Sequence, residues 1–445
     1  MIVDHTDPWR AFRRLAVPDA AGFLADQLVS VADTIVIGSL GTTALAAVTG
    51  AFSVWFLVIL TVYGLCSGLV IVSAQRIGAN DAAGFGAAVR ASLVAPVLAG
   101  LAVGTLSLFA GEPLLRLLVG PLATVHNAAI YLSLRLFAVS FAALSMTICS
   151  GLAAAGNTKT GLRSLIAINV VHLPLLLVLA LGWGTHHPLG IPGAGIASFL
   201  SEAGGALYVL IYALVRPAYC IFARWDIDWK LARHIARLSA PEVVFQFFVI
   251  LPDTIIVAML APLGAATLAG FRVLNIVSNL SFGIPGPLGF ATQAVIGQRL
   301  GAGDFAGARD FHGRAARLGM MISLAAAAIV AALAWPLSYL FTLSVKLADI
   351  AAGPLAAHML TLPLKSISML HIAPIRASGD TKFSMLIGVG MSLVIVPAAY
   401  AAITIFGLGL YGVPIAWITG WTLRAAITAW RVRTDDWTAR RLAAH

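Results

Sequence analysis

Asp33 stands in the stretch V-A-D-T-I-V-I-G-S-L, residues 31 to 40, where its only polar company is Thr34 and Ser39. An ionised side chain at bilayer depth costs at least about 2.5 to 3.5 kcal/mol, so an acid kept there is a candidate carrier of a proton or a metal cation. A second copy of the motif, P-D-T-I-I-V from 252, supplies Asp253, which either shares that chemistry or simply lies near the outer interface. Further polar residues interrupt apolar runs: Asn169, His172, Gln246, Arg272, Asn275 and Lys365. His172, like His371, can relay protons near neutral pH or make one interhelical hydrogen bond. Gln246 precedes Asp253 by two helical turns, and Arg272 precedes Asn275 by one, so each pair can share a helix face. The Lys365 ammonium either snorkels to the interface or offers a positive charge to an acidic or zwitterionic substrate. Glu202 reads as a hydrogen bonder within its own lobe or a second proton site. His186 and His187 are too small a set for a metal site.

Such residues need helices that cross a bilayer to hold them. The 445 residues are 60% hydrophobic and 10% charged, with a mean hydropathy of +0.95. Apolar runs of 18 or more residues recur, each able to span about 30 Å as a helix, and they lack the alternation of a barrel strand. The chain therefore reads as an all-α integral membrane protein with about twelve transmembrane helices between residues 17 and 430. The net charge of +10 is spread thinly between the spans, which argues for membrane topology and against a nucleic-acid partner. With a cytoplasmic N-terminus, about 22 of the 28 Lys and Arg fall on the cytoplasmic side. Both termini are expected inside, in a multi-pass cell inner membrane protein. Arg10, Arg13 and Arg14 imitate a signal peptide, but Asp19 and Asp26 break the following run, which reads as a retained first helix. Cys66, Cys149 and Cys220 show no metal-ligand spacing.

The halves repeat. Q-R-I-G-A-N-D-A-A-G at 75 to 84 returns as Q-R-L-G-A-G-D-F-A-G at 298 to 307, and Gly156-Asn157-Thr158-Lys159 returns as Gly379-Asp380-Thr381-Lys382, both at a spacing of 223 residues. Six spans per half bring the chain back to its starting side. Two parallel six-helix lobes, 1–222 and 223–445, are therefore expected to be pseudo-symmetric about the membrane normal, with a central cavity between them. The connection at 216 to 237, with Trp225 and Trp229, reads as a hinge between lobes or as an interfacial segment anchored by Trp and Arg.

With its A-D-T-I-V-I-G-S-L-G-T-T-A-L-A-A-V stretch, Q-R-I-G-A-N-D, A-A-A-G-N-T-K, Pro241-Glu242 and Q-R-L-G-A-G-D, the chain resembles the multidrug and toxic compound extrusion (MATE) family over nearly its whole length. The resemblance implies alternating access and export of small organic compounds against a flow of protons or sodium ions. It also implies that Asp33, about 22 Å along its helix and toward the outer half of the membrane, is the coupling residue. The family's second-lobe acids are missing. Val249 stands where sodium-coupled members carry Glu, Lys365 where they carry an acid, and Leu173 where an Asp commonly follows Asn169 by four. Proton coupling through Asp33 is thus expected, with sodium coupling or flipping of a lipid-linked precursor as alternatives. A membrane-embedded enzyme is disfavoured, because no paired His/Glu metal set, nucleophile elbow or phosphate-cradling loop occurs. The expected partners are a small-molecule substrate and the lipid bilayer, with no cofactor beyond the coupling ion and a monomeric assembly.

Overall fold

The computed structural model describes residues 7–119, 123–184, 187–434 and 437–438, and those residues are helical almost throughout, with no strand among them. After a π-helical turn at Phe12–Ala16 come α1 (Val17–Ser39), α2 (Thr42–Gly78), α3 (Ala82–Val119), α4 (Val125–Ala154), α5 (Lys159–Leu181) and α6 (Ile191–Val215). The second half has α7 (Trp229–Leu260), α8 (Ala265–Phe282), α9 (Pro285–Ala302), α10 (Phe305–Ala332), α11 (Ala334–Thr342), α12 (Val345–His358), α13 (Thr361–Ala377), α14 (Thr381–Tyr400) and α15 (Gly412–Thr434). Eleven spans among the described residues are long and apolar enough to cross a membrane. The twelfth expected segment is α15, which carries Arg424 midway and Arg431 and Arg433 in its last turn. Large apolar side chains such as Leu106, Phe109 and Leu117 on α3 point outward, which costs nothing when lipid is the solvent.

The sequence repeat is a repeat of corners. Between α2 and α3, Arg76 Nη1 donates to Asp81 Oδ2 at 2.6 Å while Asp81 Oδ1 accepts from the Gly84 N–H at 2.7 Å. Between α9 and α10, Arg299 Nη1 donates to Asp304 Oδ2 at 2.5 Å and Asp304 Oδ1 accepts from the Gly307 N–H at 2.9 Å. The Asp caps the following helix and the Arg pins the cap. Asn80 and Gly303 fill the same left-handed position, with φ of 59° and 77°, which explains why Asn can replace Gly there.

Three of the second-half spans are interrupted, the ninth of them at Leu333 between α10 and α11. The eighth breaks between α8 and α9 at Gly283–Ile284, ahead of Pro285, and the tenth breaks between α12 and α13 at Met359–Leu360. Their counterparts α2 and α4 run unbroken.

Contacts divide the chain into two compact units: one from Ala21 to Val243, the other from Val244 onward together with the described residues before Ala21. The expected division at 222/223 differs from this one, which falls inside the unbroken helix α7. The reason is close packing of α2 on the first half of α7. The Gly68 N–H donates to Ser239 Oγ at 3.1 Å, and that hydroxyl donates to the Leu65 carbonyl at 2.7 Å. A methyl group on Gly68 would lie 2.5 Å from the Ile235 carbonyl oxygen, and one on Gly64 2.9 Å from the Val243 Cα. Phe12 and Leu15 pack into a core with Leu288, Val295 and Phe311, which assigns the described residues before Ala21 to the second unit.

The connection before α7 is held by α3. Buried Arg90 on α3 donates Nε to the Asp226 carbonyl, Nη1 to the Cys220 and Ile221 carbonyls, and Nη2 to the Asp226 carboxylate, at 2.8 to 3.2 Å. Arg90→Met is expected to destabilise the first unit by about 2 kcal/mol, the scale of a few charge-assisted bonds. Limited proteolysis checks this: cleavage at 220 to 228 should accelerate in the variant, and an unchanged cleavage rate would show that the connection needs no such grip.

Candidate functional site

In the first unit, α1 and α5 bring Asp33 and His172 together although 139 residues separate them in the chain. His172 Nε2 lies 2.7 Å from Asp33 Oδ1, with the imidazole side chain 6% exposed and the carboxylate 22% exposed. The pair has its Asp partly open and its His sealed, an arrangement in which a proton can enter at the acid and be shared with the ring. Around it lie further polar groups from α1 and α5 themselves and from two other helices, α4 and α6. Asp26, two turns before Asp33 on α1, interacts electrostatically with Asp33 and with Arg135 of α4. Glu202 on α6 interacts with Arg135, Asp26 and His172. The Arg135 guanidinium stacks 4.0 Å above the Trp55 ring, a cation–π contact that holds it among apolar neighbours. Asn169, one turn before His172, has a buried Nδ2 with no hydrogen-bond partner among the described residues.

Asp26 and Arg135 escaped the sequence reading of the site. Two signals were there: Asp26 and Asp33 are seven residues apart and so share a helix face, and Arg135 is an arginine in the middle of an apolar span.

The second unit carries a different cluster. Asp253 Oδ2 accepts from Asn275 Nδ2 at 3.2 Å, and Asn275 Oδ1 accepts from Asn279 Nδ2 at 3.0 Å. Lys365 does not snorkel. It is 7% exposed, and its Nζ donates to Ser278 Oγ at 2.8 Å. The same hydroxyl lies 3.1 Å from His358 Nε2, so it can accept from the ammonium and donate to the imidazole. Lys365 and Asp253 interact electrostatically without touching. Of the other sequence candidates, Gln246 is half-buried and makes no hydrogen bond to Asp253, and Arg272 is exposed and stands apart from this network. His371 meets His312 instead, with Nδ1 3.1 Å from the His312 Nε2. His186 lies outside the described residues.

The MatE family model matches the chain twice, over residues 18–178 and 241–418, and the two starts are separated by the spacing of the internal repeat. Among curated relatives, the multidrug resistance protein MdtK of Edwardsiella ictaluri is 25% identical, covering 96% of this chain and 96% of its own length. The probable multidrug resistance protein YoeA of Bacillus subtilis is 26% identical over 67% of this chain and 65% of its own length. A solved structure described as the outward-facing conformation of a multidrug resistance MATE family transporter of the MOP superfamily superimposes with a TM-score of 0.89. It covers all of both chains at 22% identity and shows the fold.

Proposed function

This multi-pass membrane protein belongs to the MatE family, and from that premise we propose that it is a secondary active antiporter that exports small organic compounds by alternating access. Protons entering through Asp33 drive the cycle, in a cell inner membrane with both termini cytoplasmic. The observation that carries this reading is the 2.7 Å contact between Asp33 and His172. With the imidazole neutral and the acid ionised, the pair has a charge of −1. Uptake of one proton by the imidazole makes it a neutral ion pair, held by a charge-assisted hydrogen bond. That change alters what α1 and α5 prefer to face: an anionic pair favours water or a cationic cargo, and a neutral pair can be sealed from both. Alternation then follows from exchange of proton and cargo on the same unit. Asp26 and Glu202, with Arg135 between them in the electrostatics, set the field in which the pair changes charge.

Support for protons over sodium ions comes from the second unit. Val249 and Lys365 stand where sodium-coupled relatives would place acids, and a buried ammonium repels a metal cation. The test is ethidium transport in proteoliposomes under separately imposed proton and sodium gradients. Accumulation that follows the proton gradient and ignores the sodium gradient is expected, and the reverse dependence would overturn the proposal.

A further inference from the structure

We propose that Lys365 forms an anion-binding site inside the second unit, and that it takes the carboxylate of a small organic acid or zwitterion. That such a ligand is cargo rests on the export reading above; that it binds does not.

Three observations converge. The first is the ammonium itself. Lys365 is 7% exposed, and of its three donors the Ser278 hydroxyl takes one, at 2.8 Å, among the described residues. No carboxylate among the described residues comes within ion-pair distance of it. Asp253 acts on it only from beyond contact, and the Asp253 carboxylate is already engaged by Asn275. A buried cation without a contacting counter-charge is a strained arrangement, and an incoming anion relieves it.

The second observation is a matching donor. Trp421 on α15 is 5% exposed, its ring centroid lies 6.0 Å from the Lys365 Nζ, and its indole Nε1–H has no acceptor among the described residues. Indole N–H is a donor only, so ammonium and indole together ask for a ligand that accepts hydrogen bonds.

The third is the backbone. Ser278 sits just before the α8/α9 interruption, and His358 and Lys365 flank the α12/α13 interruption. Broken helices mark ligand sites in transporters because their interrupted turns face a cavity rather than lipid. The unbroken counterparts α2 and α4 show that the repeat itself does not require these breaks.

Equilibrium binding to the purified full-length protein in detergent, read by fluorescence polarisation, tests the site with two probes. Rhodamine B carries a free carboxylate, and its methyl ester is the same fluorophore without it. Lys365→Gln is expected to weaken rhodamine B by about tenfold, the worth of one charge-assisted contact, and to change the ester by less than about twofold. Lys365→Arg should keep the preference for the acid. An equal change for both dyes in a Lys365→Gln variant that still binds them, or no change for either, would overturn the site and leave Lys365 as a counter-charge for Asp253. Should Lys365→Gln bind neither dye, Lys365→Arg decides, because loss of acid preference there overturns the proposal. Displacement of rhodamine B by phosphatidylglycerol but not by phosphatidylcholine would reassign the site to a lipid phosphate and also overturn it. Binding needs no gradient, so the two readings fail separately. Failure of the wild type to export ethidium would sink the export reading alone, and loss of acid discrimination with ethidium export intact would sink this inference alone.

Discussion

Asp33→Asn is expected to remove the proton-driven component of export. A gradient of one pH unit supplies about 1.4 kcal/mol per proton, which sustains about a tenfold accumulation of an exchanged cargo. The asparagine side chain is almost the same size, and its carbonyl can still accept from His172 Nε2 as Asp33 Oδ1 does. It cannot carry charge. Ethidium should therefore still equilibrate across proteoliposomes containing the variant, but the tenfold accumulation should disappear. His172→Gln should behave similarly, since an amide preserves a hydrogen bond and cannot take up a proton. A variant Asp33→Asn that accumulates ethidium as well as wild type would move the coupling elsewhere, with Glu202 the next residue to test.

The second large effect is structural. Gly64 and Gly68 lie one turn apart on α2 and let it meet the first half of α7 almost backbone to backbone, with Ser239 bonded to both the Gly68 N–H and the Leu65 carbonyl. Small residues four apart are how membrane helices gain close packing when lipid gives no hydrophobic drive. Overpacking costs about 1–3 kcal/mol per site, so Gly64→Leu with Gly68→Leu should destabilise the contact by about 4 kcal/mol and abolish export. Gly204→Leu is the matched control, because nothing lies within 4 Å of a Cβ added there. Thermal unfolding in detergent, followed by size-exclusion chromatography, reads both. A double variant that melts like wild type would show that α2 and α7 do not depend on this approach.

Much of this was legible in the linear order of residues, and the boundary of legibility is physical. Spans are local, and the corner motif is local too: Arg76 and Asp81 are five residues apart, and their roles can be read from capping rules alone. Asp33 was visible because a charge in apolar sequence needs no partner to be conspicuous. His172 was visible as a residue but not as its partner, since nothing in either segment encodes a meeting across 139 residues. Lys365 carried two readings until its depth was known, and the bond to Ser278 removed one of them. The break at Met359–Leu360 had no glycine to announce it and was not expected, whereas the break at Gly283–Ile284 stands in a Gly- and Pro-rich stretch. The division inside α7 escaped for a related reason: linker composition marks where a chain turns, not which neighbours a continuous helix leans on.

The paired corners bear on how such a protein diversifies by descent. Arg76–Asp81 and Arg299–Asp304 hold the same turn in both copies, while the interiors have parted company: Asp33 meets His172 in one, and Asp253 meets Asn275 in the other. Duplication thus left two frames whose corners stayed alike and whose contents drifted. A lineage can then change coupling ion or cargo one interior side chain at a time, trying the change in one copy while the other keeps working. Exchanging residues 75–84 for 298–307 within this chain should accordingly be the most forgiving of transplants, and exchanging α5 for its counterpart the least.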